Sequence, residues 1–430
     1  MPFRKVFFWM HLVAGLVAGI SIAIMCVTGV ALAFEKQIVA WAERDVRLAN
    51  PAALPGKAGT PPAKVATPLA LDELQRRFAT AHPDAKPAAI TISSDPHAAV
   101  VFSIGREGAY YINPYTGGIR QPATTRMHDF MHVMTDWHRV LALSGDNRPI
   151  GKMINGVCNL AFFFLAVSGL YIWWPRRLSW RSLKALAVFN WRLAGKARDF
   201  NWHNSIGFWS APVLIVLTLT AVPISFRWGG NLIYRIAGEE PPAAQGRGAF
   251  ATPAIKIEKP SADARPLERD ELLAIVQQEF PAWQEISLRL GGGTPSRGSA
   301  AGGARRSAAA GEAAQAISFT IKEPGSWPRT ASATAALDPF TGGILRRDGF
   351  GDLSTARQIR SWMRFLHTGE ALGWGGQLVA GLACLGGCFL VYTGFALSWR
   401  RFFGKTRRPR TSARSAREDS RETAEVGASD

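Results

Sequence analysis

The chain has 430 residues, a formal net charge of +18, 47% hydrophobic and 19% charged residues. That apolar content excludes a disordered chain, and four Cys over such a length exclude a disulfide scaffold. The excess of basic residues raises nucleic-acid binding, which stands or falls on where the charge lies.

The first apolar block, Val6 to Phe34, carries no charged residue and exceeds the roughly 20 residues needed to cross a bilayer. Arg4, Lys5 and Ala31-Leu32-Ala33 imitate a signal peptide, but such a peptide has an apolar core of only about 7–15 residues. Residues 1–34 are therefore predicted to be an uncleaved transmembrane helix. A polar stretch, 35–140, follows. Within it Ala49 to Thr67 is a Pro/Ala-rich linker, Leu69 to Phe78 has a helical pattern, and Ala89–Ser93 and Val100–Ile104 are strand-like. The run Asn113-Pro114-Tyr115-Thr116-Gly117-Gly118-Ile119 suits a tight turn closing a hairpin.

A second span is expected over 141–174, ending in Trp173-Trp174-Pro175 and then cations. The loop 175–204 is basic: between Pro175 and Phe200 seven Lys/Arg face Asp199 alone. A third span is expected over 205–227. The second polar stretch, 228–365, repeats the first. Leu267 to Phe280 is helical, Ile286–Leu290 and Ile317–Lys322 are strand-like, and Asp338-Pro339-Phe340-Thr341-Gly342-Gly343-Ile344 matches the earlier turn. Gly291 to Ala316 is a Gly/Ala/Ser-rich insertion with no apolar period, expected to be disordered. A fourth span over 366–399 leads to a basic tail, 400–430, with a disordered composition. The fold class is thus an α-helical membrane protein: a four-span transmembrane bundle with two small α+β modules outside it. Most of the basic excess lies at the N-terminus, the middle loop and the tail. The positive-inside rule puts all three in the cytoplasm, and the nucleic-acid reading falls away.

The spans repeat as well. His11 precedes Thr28-Gly29 by 17 residues and His203 precedes Thr220-Ala221 by 17; His138 precedes Ser168-Gly169 by 30 and His367 precedes Thr393-Gly394 by 26. The small pairs are expected to let helices approach closely. Four of the eight His stand at the head of a span, where an ionisable group signals function. Topology groups them as His11 with His203 near the cytoplasmic face and His138 with His367 near the outer face. Two pairs at two depths, each split between helices, suit bis-histidine ligation of two haem b groups. Arg139, Arg360 and Arg364 are candidates for haem propionates. His128 and His132, spaced i,i+4, are a second candidate metal site with Asp129 or Asp136. Cys384 and Cys388 are expected to be packing residues.

Six stretches carry a family resemblance: Thr135-Asp136-Trp137-His138-Arg139, Ser168 to Arg177, Asp199-Phe200-Asn201-Trp202-His203-Asn204, Arg364-Phe365-Leu366-His367-Thr368-Gly369, and the two Pro-aromatic-Thr-Gly-Gly turns. With them the chain resembles the PepSY-associated transmembrane family of bacterial inner-membrane proteins, which includes ferric-siderophore reductases. The resemblance implies two periplasmic PepSY modules, b-type haem in the reductase members, and motif histidines at His11, His138, His203 and His367. His128 and His132 lie outside the motif. Thr220-Ala221 departs from the usual Thr-Gly. Some relatives carry a fused flavin reductase domain. Here the implied electron donor is separate, a cytoplasmic flavoprotein or a membrane quinol, and the implied acceptor is ferric-siderophore iron. The alternative class is a non-enzymatic, membrane-anchored binding or regulatory protein.

Overall fold

The computed structural model describes residues 2–49, 67–105, 108–175, 179–242, 255–257, 264–290 and 314–403. The linker from Asn50 to Ala63 and on to 66, the insertion from Gly291 to 313 and the tail after Phe403 lie outside the described residues.

The first repeat begins with α1 (Pro2–Ala33), α2 (Glu35–Ala42) and α3 (Arg44–Arg47). Next come α4 (Leu71–Ala81), the strands β1 (Ala89–Ser93), β2 (Val100–Ser103), β3 (Ala109–Ile112) and β4 (Ile119–Arg120), then α5 (Arg126–Val140) and α6 (Arg148–Trp173). After α7 (Trp180–Ala187) the second repeat supplies α8 (Gly195–Ser225), α9 (Arg227–Ile236), β5 (Lys256–Ile257), α10 (Arg269–Glu279) and β6 (Glu285–Arg289). It ends with β7 (Ala314–Gln315), β8 (Ile317–Lys322), β9 (Ala333–Leu337), β10 (Ile344–Asp348), α11 (Thr355–His367) and α12 (Gly373–Phe403).

Among the described residues four helical segments are long and apolar enough to cross a membrane: Phe3–Ala33, Gly145–Trp173, Gly195–Ser225 and Glu370–Phe403. A helix satisfies its own backbone polar groups, so an apolar sequence of this length can face lipid without loss. The chain is a membrane protein. Helix α1 packs against α6 and α12, and α8 packs against the same two. The bundle is therefore a closed ring with α1 and α8 on one diagonal. Its core holds Ala18, Ile22, Cys26, Phe162, Leu214, Leu217, Ala380 and Ala383. Trp228, Trp374 and Trp399 are exposed near helix ends, as interfacial anchors are, whereas the exposed Trp209 falls midway along α8.

Beyond one end of the bundle lies the sheet. Here the two α+β repeats expected from the sequence share one sheet. The order β10-β9-β8-β6-β1-β2-β3-β4 is one eight-stranded sheet, four strands from each repeat. The join is the antiparallel pair β1–β6, with Ile90 opposite Leu288 and Ile92 opposite Ile286. At its centre Thr91 and Ser287 face each other, their hydroxyl oxygens 2.6 Å apart. Alternation along each strand puts Ile90, Phe102, Ile286, Leu288, Phe319 and Ile321 on one face, under Leu74 and Phe78 of α4 and Leu272 and Val276 of α10. These helices exchange caps. The Asp270 carboxylate accepts the Leu71 N–H at 2.8 Å, and Asp72 accepts the Arg269 N–H at 2.8 Å and bonds its guanidinium. The duplicated turns match too. Asn113 Oδ1 accepts the Tyr115 N–H and Asp338 Oδ1 accepts the Phe340 N–H, with Gly117 at φ 73° and Gly342 at φ 70°.

Three boundaries differ from expectation. The basic loop 175–204 contains α7, and the third spanning helix begins at Gly195 rather than 205. Helix α7 is capped by Ser179, whose side chain accepts the Ser182 N–H. Residues 314–315, at the end of the expected insertion, pair with β5. The lead-in helices α5 and α11 stop short of their spans, as the distance from His138 to Trp174 requires. Leu141 and Ala142 break the first at φ 52° and 56°, and Gly369 breaks the second at φ 73°.

Candidate functional site

The inner pair is built on one diagonal. His11 on α1 and His203 on α8 both line a cavity of about 400 Å³ inside the bundle. Its walls are apolar and rich in glycine: Gly15, Gly19, Gly169, Gly207, Gly387 and Gly394 all face it. A Cβ on Gly169 would stand 3.4 Å from His11 Cε1, and one on Gly394 would stand 3.7 Å from His203 Cε1. Lys196 and Arg401 lie at the same cavity, so cationic groups border an otherwise apolar space.

The outer pair sits on the lead-in helices. His138 of α5 and His367 of α11 have ring centroids 6.2 Å apart with planes inclined at 51°. Two imidazoles sharing one metal ion, each nitrogen about 2 Å from it, hold their centroids roughly 6 Å apart. Each lead-in helix is pinned by the same device. The carbonyl two residues past the histidine meets a glycine of the following span. A Cβ on Gly151 would stand 2.1 Å from Val140 O, and one on Gly376 would stand 2.3 Å from Gly369 O. Counted from those glycines, Ser168 and Thr393 each lie 17 residues on, the spacing seen from His11 to Thr28 and from His203 to Thr220. The whole length difference between the repeats, 30 against 26, therefore falls in the loop between outer histidine and span. Desolvation pushes both outer imidazoles below their usual pKa, helped by the nearby Arg139 charge.

All four rings are held by Nδ1. It lies 2.8 Å from Ser168 Oγ in His11, 2.9 Å from Thr28 Oγ1 in His138, and 2.8 Å from Thr393 Oγ1 in His203. In His367 it lies 2.9 Å from the Leu217 carbonyl. The small Ser/Thr-Gly pairs were expected to serve helix approach. They do more: the hydroxyl anchors a ring and the glycine makes room beside it. Thr28 joins His138 while His11 lies 17 residues back on the same helix, so the two sites stand roughly 25 Å apart along α1.

These residues suit a flat, iron-bearing macrocycle. Each site offers two imidazoles anchored at Nδ1, and the inner one adds a glycine-walled apolar space. Arg139 and Arg364 are exposed on the lead-in helices beside the outer pair, and Arg360 lies 5.6 Å from the Tyr234 ring. His128 and His132 meet edge to face, with centroids 4.4 Å apart and planes inclined at 80°. Asp129, offered as their partner, accepts from Thr125, and Asp136 is paired with Arg148 at 3.1 Å. Among the described residues no group of three or more His, Cys, Asp or Glu is arranged to hold a metal ion.

Sequence reasoning missed one polar lock. Asp199, at 1% exposure, pairs with Arg198 at 3.0 Å and with Arg400 at 2.6 Å, tying the start of α8 to the end of α12. The signal was a lone carboxylate four residues before His203 amid basic neighbours.

The family described as PepSY-associated TM region matches residues 8–401, and the chain belongs to that family. No curated protein matches it.

Proposed function

We propose that this family member is a haem-b-containing oxidoreductase of the bacterial inner membrane. It moves electrons from a cytoplasmic flavoprotein or a membrane quinol to a periplasmic acceptor, with ferric-siderophore iron as the favoured acceptor. The observation that carries this reading is the pairing of repeat-equivalent histidines at two depths of one bundle: His11 with His203 at a common cavity, and His138 with His367 at 6.2 Å. When bound, a b-type haem at each pair supplies a one-electron couple in apolar surroundings. The protein's part is to hold it. His11, His203, His138 and His367 present Nε2. Arg139, Arg360 and Arg364 at the outer site, and Lys196 and Arg401 at the inner cavity, would pair with its propionates. The glycine-lined walls exclude water.

The excess of Lys and Arg at the N-terminus, the 175–204 loop and the tail supports cytoplasmic termini, which sets the sheet in the periplasm. There the two α+β repeats, read as PepSY modules, stand over the outer pair, where an acceptor would dock.

The test is direct. Protein purified from haem-sufficient cells should show b-type bands on dithionite reduction and a pyridine haemochrome ratio of about two haems per chain. A colourless preparation would leave the non-enzymatic membrane-anchored binding protein as the reading.

A further inference from the structure

We propose that Thr28, Ser168 and Thr393 are positioning residues that fix the tautomer and basicity of three axial histidines, and that Thr220 is not. This deepens the haem reading and rests on it.

The Thr28 and Thr393 hydroxyls act as acceptors because their own protons are committed elsewhere. Thr28 Oγ1 donates to Ile24 O at 2.6 Å and Thr393 Oγ1 donates to Phe389 O at 2.7 Å, whereas the Leu165 carbonyl lies 3.4 Å from Ser168 Oγ, too far to hold its proton. A hydroxyl spent in this way can meet an imidazole nitrogen only by accepting its N–H. His138 and His203 therefore carry their protons on Nδ1 and keep the Nε2 lone pair for a metal, and His11 is assigned the same tautomer from the equivalent place of Ser168 in the repeat. His367 reaches the same state by another route. Its partner is the Leu217 carbonyl, which only accepts.

Thr220 occupies the equivalent place in the fourth copy and makes the same back-bonds, to Val216 O at 2.7 Å and Leu217 O at 3.0 Å. Its Oγ1 meets no imidazole; the His367 ring bonds the carbonyl three residues earlier. It is also the copy in which alanine, Ala221, replaces the glycine. Three clamps are thus hydroxyl-held and one is carbonyl-held. An acceptor on the distal N–H raises ligand basicity and favours the oxidised metal, so removing it should raise the reduction potential.

The experiment measures haem content, potentiometric midpoints and low-temperature EPR on full-length protein carrying Thr28→Val, Thr393→Val, Ser168→Ala or Thr220→Val. Thr28→Val should raise the potential of the outer haem alone. Thr393→Val and Ser168→Ala should raise that of the inner haem alone. Each should weaken haem retention by roughly 10- to 100-fold. Thr220→Val should leave both potentials and both EPR signals in place. Thr28→Ser, which keeps the acceptor, should restore the wild-type potential, separating the hydrogen bond from a packing defect. Unshifted potentials in Thr28→Val and Thr393→Val, with haem retained, would overturn the positioning role and leave the haem reading standing. An equal shift in Thr220→Val would overturn the asymmetry. Wild-type protein without haem would overturn the reading beneath both.

Discussion

At the scale of single residues the site depends on few groups. The four histidines were legible because they are scarce and in register. Their anchors were half legible. The 17-residue spacing stood in the sequence, but a Ser or Thr in a helix is as compatible with close helix approach as with holding a ring. Only the packing of α1 on α6 and of α8 on α12 decides. His138→Ala should lower the haemochrome ratio by half and spare the inner haem, and His11→Ala should do the converse. Equal loss of both haems from either variant would contradict two independent sites. Asp199→Asn keeps the shape of the carboxylate and removes its charge from between Arg198 and Arg400. It should cost about 2 kcal/mol, read as an earlier thermal transition of the solubilised protein.

At the scale of elements the lead-in helices α5 and α11 govern the outer pair. Helix α11 starts on a carboxylate: Glu239 accepts the Ser354 hydroxyl at 2.6 Å and the Ala356 N–H at 3.0 Å. Those bonds hold its pKa below the usual 4.5. A depressed folded pKa contributes stability that is present above the unfolded value and lost as pH falls through the folded one. Amide protection factors at the start of α11 should therefore be high near neutrality and fall below pH 4.5, and Glu239→Gln should show low protection throughout. An unchanged profile in Glu239→Gln would remove the carboxylate from this role. The far ends of both helices depend on glycine. Gly151→Ala and Gly376→Ala should each cost about 1–3 kcal/mol, because a Cβ there meets a backbone carbonyl that cannot swing aside. Haem loss from the outer site before the inner one on warming would report it. The breaks themselves were legible, since one helix from His138 to Trp174 would be far longer than a bilayer is thick. Helix α7 was not, because its basic residues hide the cap and the helical pattern inside a charge run.

At the scale of the whole molecule the least legible feature is the join between repeats. Strands β1 and β6 each alternate like ordinary half-buried strands, and nothing local tells a strand which edge it will meet. The duplicated turns revealed two modules, and the pairing Thr91–Ser287 makes them one sheet. The helix caps are shared across the same join. Asp270→Ala should release the Leu71 amide in the opposite repeat at a cost of about 1 kcal/mol, visible as faster exchange at the start of α4. An effect confined to α10 would show that the exchange of caps carries no weight.

The contacts that matter most join equivalent residues: His11 with His203, His138 with His367, Thr91 with Ser287, and Asp72 and Asp270 at each other's helix. A contact of this kind is isologous, the sort that closes a symmetric dimer. One pseudo-two-fold axis therefore runs through both histidine pairs and out through the centre of the sheet. Neither half owns a complete site, since every pair draws one ring from each. A half-length chain with these faces would have to dimerise to gain either centre. The duplication fixed in a single polypeptide what would otherwise depend on concentration, and left each half free to diverge, as Ala221 already has.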